Sequence, residues 1–196
     1  MKMERPTFKD VLEARSIIKN YLFRTPLYSY PQLNQLLDAK VYIKHENYMP
    51  TCAFKVRGGI NLIYHLTCEQ KERGVVTAST GNHALSIAHA ANLFWKAKKI
   101  VKDKMETAAE GLATQIGYEF TQGILQDFLT DFILVSEEEM VQAILIYMEL
   151  IRNLAEEASS SPLAAALKIK ERLKGKKVAL VLTGSNISMD RLKQIL

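Results

Sequence analysis

Lys55 is the residue in this sequence best placed for covalent chemistry. It lies between Phe54 and Val56, with Arg57, Gly58 and Gly59 behind it, where a strand-like run gives way through a loop to a helical pattern. An amine among apolar neighbours at an element boundary loses hydration. Partial desolvation of this kind favours the neutral form of an amine and makes it a candidate nucleophile for carbonyl carbon. A solvated lysine in the first turn of a helix meets the same pattern, and the stretch taken alone favours that plainer reading.

Two further loops carry residue types suited to binding. Ser79-Thr80-Gly81-Asn82-His83 stands between the apolar run at 75–78 and a helical run reaching about residue 95. A small-residue loop feeding a helix presents free backbone N–H groups and the positive end of the helix dipole, which is how α/β proteins build anion sites. Asn82 or Ser79 serves equally as a plain N-cap. The third loop, Thr183-Gly184-Ser185-Asn186, closes the near-continuous apolar run 178–182, a pattern expected of a strand buried on both faces.

The elements that must position these loops follow from caps, breakers and periodicity. Thr7 is expected to cap a helix to about residue 22 with apolar positions at Val11, Leu12, Ala14, Ile17 and Ile18. A short strand at 27–29, a helix from Pro31 to Leu37 and a strand at 41–45 come next. A helix over about 54–67 follows the lysine loop, and 75–78 is expected as a strand. The pattern at 101–117 is helical, 124–129 reads as a further helix and 132–135 as a strand. Ser136-Glu137-Glu138-Glu139 is a capping box opening a long helix to about residue 154. The small-residue stretch 158–162 is expected as a loop, with Pro162 starting an alanine-rich helix that stops at Gly175. After the strand at 178–182, Ser188 caps a last short helix. Strands alternating with helices make an α/β protein with a parallel sheet.

Composition narrows the class. Of 196 residues, 48% are hydrophobic and 24% charged, with net charge +5. That is ordinary globular usage, enough for one domain or two small lobes. The densest basic run, 96–104, lacks interleaved aromatics or a nucleic-acid module, so no nucleic-acid partner is expected. No apolar window has membrane-span length, so no membrane partner is expected. Cys52 and Cys68 form no CxxC, and His45, His65, His83 and His89 are scattered, so no metal site is expected and a reduced cytoplasmic setting fits.

Three segments in one order carry a resemblance: PTCAFKVRGG at 50–59, ASTGNHALSIAHAA at 78–91 and VALVLTGSN at 178–186. Together they resemble the pyridoxal-phosphate enzymes of fold type II, in particular the threonine and serine dehydratases (ammonia-lyases) and serine racemase. The resemblance implies a tryptophan synthase β-like α/β fold and pyridoxal 5'-phosphate as cofactor. It implies a β-elimination that deaminates threonine or serine to a 2-oxo acid and ammonia. Lys55 would hold the cofactor aldehyde as a Schiff base and move protons, and Phe54 would pack beside the ring. Asn82 would hydrogen-bond the ring's 3-oxygen. Ser79, Thr80, Gly81 and His83 would frame the substrate carboxylate. Thr183 would face the pyridine nitrogen, and Glu156 matches a family glutamate near the ring.

The sequence also departs from that family. No tetraglycine-type phosphate loop is present, and Gly58-Gly59 is the only adjacent glycine pair among nine glycines. Judged by the family's length, on the order of a hundred residues are missing between Phe94 and Met105. Cys52 stands where a small residue is usual, Ala84-Leu85 replaces a glutamine-containing pair, Glu157 and Ser159-Ser160-Ser161 replace a glycine-alanine-rich loop, and Ser185 replaces a glycine. The expected division is a large cofactor domain, 1–73 and 99–196, lacking central strands, with 74–98 the remnant of a small domain. Three other readings stay open: a shortened non-catalytic relative acting as scaffold or interaction subunit, an internally deleted form of a full enzyme, and an amino-acid racemase. A homodimer covering exposed sheet edges fits any of them.

Overall fold

Thr7 caps helix α1 (Phe8–Ile18) through a reciprocal box with Asp10, as its side-chain type and spacing require. The computed structural model describes residues 5–75, 77, 79, 81–94 and 119–196. Strand β1 (Leu27–Ser29), helix α2 (Pro31–Leu37) and strand β2 (Lys40–His45) follow. Pro31 opens α2 because its missing N–H is one the first turn leaves unpaired. A single 3-10 turn, Glu46–Tyr48, leads to the lysine loop and helix α3 (Val56–Tyr64). The helix expected to 67 stops at Tyr64, because Thr67 makes its own capping box with Gln70 and starts α4 (Cys68–Arg73). Then come α5 (Asn82–Phe94), α6 (Glu119–Phe128), α7 (Glu137–Ile151), α8 (Glu157–Lys168), α9 (Lys170–Leu173), β3 (Lys177–Leu182) and α10 (Met189–Ile195).

The sheet has the order β1-β2-β3 and is mixed. β2 and β3 run parallel, from Lys40 beside Lys177 to His45 beside Leu182, while β1 pairs antiparallel to β2. Val41, Ile43, Leu180 and Leu182 point to one face and meet Leu33 and Leu37 of α2, Ile144, Tyr147 and Ile151 of α7, and Leu163 of α8. A second apolar cluster joins Leu22, Met49, Val56, Ile60, Ile63 and Ala90, so α3 is seated between the lysine loop and α5. No helix among the described residues is long and apolar enough to cross a membrane.

Three further expectations are corrected. β3 alternates rather than being buried on both faces: Leu180 and Leu182 are buried while Val181 is 42% exposed. Among the described residues, 132–135 forms no strand. Phe132 and Leu134 are 73% and 75% exposed, and an extended run without a ladder partner gains nothing from strand geometry. The serine stretch 158–162 is helix, not loop: α8 starts at Glu157, with Pro162 inside it. Pro162 cannot donate to the Ala158 carbonyl, and the Ser161 hydroxyl donates to that carbonyl instead, at 2.8 Å. The expected strand at 75–78 lies partly, and the helical pattern at 101–117 wholly, outside the described residues.

One buried charge network ties β2 to α3 below the lysine loop. Arg57 donates through Nε and Nη2 to the two oxygens of Glu46 at 2.8 and 3.0 Å, and Thr25 Oγ1 donates to Glu46 at 2.6 Å. Burial pushes the Glu46 carboxyl up, but the Arg57 and Thr25 bonds and the Arg57 and Lys44 charges outweigh it and hold its pKa below the usual value. Glu46→Gln is expected to cost about 1.5–3 kcal/mol at neutral pH, since it removes hydrogen bonds to a charged acceptor. The folded pKa is depressed, so this contribution is full above the ordinary value of 4.5 and is lost as pH falls through the folded value. Chemical denaturation at a series of pH values checks this: wild type and variant should converge in acid.

Candidate functional site

Backbone hydrogen bonds fasten the lysine loop to the 183–186 turn. Phe54 N–H donates to the Thr183 carbonyl at 3.0 Å and Ser185 N–H to the Cys52 carbonyl at 3.0 Å, with Ala53 and Gly184 paired antiparallel between them. Cys52 makes the bend that allows this, with φ of 53° in the left-handed region, a conformation that favours glycine. Lys55 is the next residue but one after the Ala53 bridge. It caps α3 by backbone only, without a side-chain cap bond, and is half-buried.

Glu156 joins this pair of loops to the start of α5. Its backbone N–H donates to the Gly184 carbonyl at 3.2 Å. Its carboxylate accepts from Asn82 Nδ2 at 2.7 Å on one oxygen and from the Asn186 N–H at 3.1 Å on the other. Asn186 Nδ2 in turn donates to Asn82 Oδ1 at 2.6 Å and to the Thr51 carbonyl at 2.9 Å. The Asn82 carboxamide is thereby held at both ends and its oxygen and nitrogen are told apart. Gly184 leaves room for this ring, because a Cβ there would meet Glu156 Oε1 at 2.7 Å and Asn82 Nδ2 at 3.2 Å. Burial pushes the Glu156 carboxyl above its ordinary pKa, against the lowering effect of its two hydrogen bonds and the Lys55 charge.

Lys55, Asn82 and Thr183, expected from three distant loops, thus share one neighbourhood around Glu156. Asn82 does not act as a plain side-chain cap, since its carboxamide turns to Glu156 and Asn186. Thr183 Oγ1 lies 2.8 Å from Ser159 Oγ. Phe54 is half-exposed and joined to the turn through its backbone. Ser79 and Gly81 are half-buried, His83 is exposed, and Thr80 lies outside the described residues. The Gly81 N–H reaches Ser79 Oγ at a long 3.4 Å, and the Gly81 carbonyl accepts from Leu85 N–H. Among the described residues, no hydrogen bond links the Ser79 or His83 side chain to the Lys55 neighbourhood.

Glu156, Asn186 and Ser159 are the participants that local sequence pattern does not place in the site. Glu156 precedes a helix whose start the sequence puts at Pro162, and Ser159 falls in a stretch that reads as loop. Asn186 has the nearest signal, since it ends the same turn that carries Thr183.

The donor set suits one end of a pyridoxal ring: a lysine amine, a carboxamide with one N–H unbound by Glu156, and a threonine hydroxyl. For the phosphate end, no glycine-rich loop stands among the described residues. Gly59 sits inside α3, where an added Cβ would meet the Ser86 carbonyl oxygen at 2.5 Å, so it serves helix packing against α5. No other glycines are adjacent in the chain.

The family model for pyridoxal-phosphate dependent enzymes matches residues 18–101 and 94–184. The chain is 39% identical over 109 residues to L-threo-3-hydroxyaspartate ammonia-lyase of Saccharomyces cerevisiae, covering 56% of this chain and 33% of that protein. It is 43% identical over 88 residues to L-threonine ammonia-lyase of Thermotoga maritima, covering 45% of this chain and 22% of that one. The chain therefore spans a third or less of these relatives' length. The fold is similar to that of maize serine racemase, with TM-score 0.82 and 19% identity, covering 95% of this chain and 97% of that one. A solved threonine deaminase is equally similar in fold, with TM-score 0.82 and 21% identity, covering 94% of this chain and 99% of that one.

Proposed function

This chain belongs to the pyridoxal-phosphate dependent enzyme family, and from that premise we propose that it is built for ammonia-lyase chemistry on a β-hydroxy amino acid, threonine or serine. The observation that carries the proposal is the convergence of Lys55, Asn82 and Thr183 around the half-buried Glu156 carboxylate. The relatives' activities, on L-threonine and on L-threo-3-hydroxyaspartate, support a substrate with a leaving hydroxyl at the β-carbon.

When bound, pyridoxal phosphate supplies a conjugated ring that stabilises charge at the substrate α-carbon. Lys55 is the residue to hold it and then to take up the substrate's α-proton, while the β-hydroxyl leaves as water with a proton from the site. Asn82 has one amide proton beyond the bond to Glu156, available for the ring's 3-oxygen. Thr183 offers a neutral hydroxyl to the ring nitrogen, which leaves that nitrogen without a full positive charge. Ser79, Gly81 and His83, around the N-terminus of α5, together with Thr80 from the same stretch of sequence, are the residues to frame the substrate carboxylate. Phe54 is the aromatic at the ring's side. A homodimer remains part of the reading, and sedimentation velocity tests it.

A second reading, a scaffold without catalysis, is favoured by the lack of a glycine-rich phosphate loop in the sequence, since the one adjacent glycine pair lies within helix α3. The experiment that separates the two follows 2-oxo acid release on adding L-threonine or L-serine to the chain with pyridoxal phosphate. The lyase reading expects 2-oxobutanoate or pyruvate. D-serine from L-serine without 2-oxo acid would point to racemisation. No product and no visible cofactor band at saturating pyridoxal phosphate would sink the enzymatic readings and leave the scaffold.

A further inference from the structure

Thr183 can meet a ring nitrogen either as donor or as acceptor, and its neighbour decides which. Ser159 lies in the first turn of α8, fully buried, with Oγ 2.8 Å from Thr183 Oγ1. The distance alone permits donation in either direction. The two serines that follow give their protons to carbonyls of their own segment or its neighbour: Ser160 Oγ reaches the Met140 and Glu157 carbonyls, each at 2.8 Å, and Ser161 Oγ the Ala158 carbonyl. Ser159 turns to another loop instead. Among the described residues, Thr183 is the one hydrogen-bond partner of its hydroxyl. If Thr183 donated, the Ser159 proton would be buried without an acceptor, which native interiors avoid. If Ser159 donates, its proton is matched and the Thr183 proton is left for the site.

The geometry points to Ser159 as a positioning residue: it donates to Thr183 Oγ1 and so makes the Thr183 hydroxyl a hydrogen-bond donor to the cofactor's ring nitrogen. This deepens the function proposed above and rests on it. A donor to the ring nitrogen requires that nitrogen to be unprotonated, so Ser159 acts on the ring's electronic state through Thr183 without touching it. The sequence places this serine where the resembling family has small apolar residues, so the arrangement belongs to this chain's own residues.

The test is a double-mutant cycle on cofactor binding, read from the visible absorbance band during titration with pyridoxal phosphate. Thermal unfolding without cofactor runs alongside. Ser159→Ala is expected to weaken binding about five- to tenfold, the effect of one hydrogen bond, and to move the band's position and pH dependence. It should have no further effect in a Thr183→Val background, because the hydroxyl it acts through is gone. Thr183→Ser should restore the dependence on Ser159. Equal effects of Ser159→Ala in both backgrounds, or an unmoved band, would overturn the positioning role while leaving the cofactor reading intact. No band with the wild-type chain at saturating cofactor would overturn the cofactor reading and this inference with it. If Ser159→Ala does not fold, Ser159→Cys carries the same comparison with a weaker donor.

Discussion

Lys55→Ala is expected to abolish the visible absorbance band formed by the chain with pyridoxal phosphate, and to do so without unfolding the protein. The two halves of that expectation have separate causes. The band requires a nucleophilic amine, and alanine has none. Lys55→Arg should fail as well, because a guanidinium keeps its proton at any working pH while preserving the positive charge beside Glu156. Comparing the two variants therefore separates nucleophile from charge. If the chain turns over threonine or serine, losing the proton-transfer role alone should lower 2-oxo acid release by about 10²–10⁴-fold. The fold should survive because Lys55 makes no side-chain cap bond to α3 and is only half-buried, so the change in stability should stay within about 0.5 kcal/mol. A small pH signature should accompany it. Glu156 has a folded pKa raised above 4.5, so the stability linked to it is full below that value and is lost as pH rises through the folded value. Lys55 lowers that folded pKa, so removing its charge moves it further up and deepens the loss at neutral pH. A band that persists in Lys55→Ala would mean that another amine holds the cofactor.

Most elements of this fold are legible in the sequence because local chemistry sets their ends. The boxes at Thr7 and Ser136, the proline at 31 and the cap at Ser188 each satisfy backbone groups within a few residues. The misread elements depend on partners far away. Nothing local says that Val181 lacks a covering layer or that 132–135 lacks a neighbouring strand. At α8 the difference is chemical: serines favour loops and a proline usually opens a helix instead of sitting inside one, but the Ser161 hydroxyl supplies the bond Pro162 cannot make. The candidate site divides the same way. Lys55, Asn82 and Thr183 are visible because each sits where a strand or helix begins or ends. What joins them is not visible in local pattern, and of the joining residues the family resemblance reaches only Glu156: Glu156 reaches Asn82 across 74 positions, Asn186 reaches Asn82 across 104, and Ser159 reaches Thr183 across 24. No periodicity encodes a hydrogen bond at such separations.

The adjacent glycines 58 and 59 are expected to respond to alanine with opposite signs. Both lie in α3, where a glycine costs about 0.5–1 kcal/mol relative to alanine through backbone entropy. Gly58 is exposed and an added Cβ would meet nothing within 4 Å, so Gly58→Ala should be stabilising by that amount. At Gly59 the same Cβ would stand 2.5 Å from the Ser86 carbonyl oxygen and 2.8 Å from its carbon. These are backbone atoms of α5, so no rotamer change relieves the clash and the two helices must separate. Overpacking of this kind typically costs about 1–3 kcal/mol before the entropy gain is counted. Gly59→Ala should therefore fall below wild type, and the two variants should differ by several degrees in Tm, at about 2–4 °C per kcal/mol for a chain of this size. The damage should also reach the site, since α5 begins with Asn82 and its carboxamide must meet Glu156 and Asn186. Gly59→Ala should weaken cofactor binding even below its melting temperature, whereas Gly58→Ala should leave it unchanged. Equal melting temperatures for the two variants would show that α3 and α5 do not meet at Gly59.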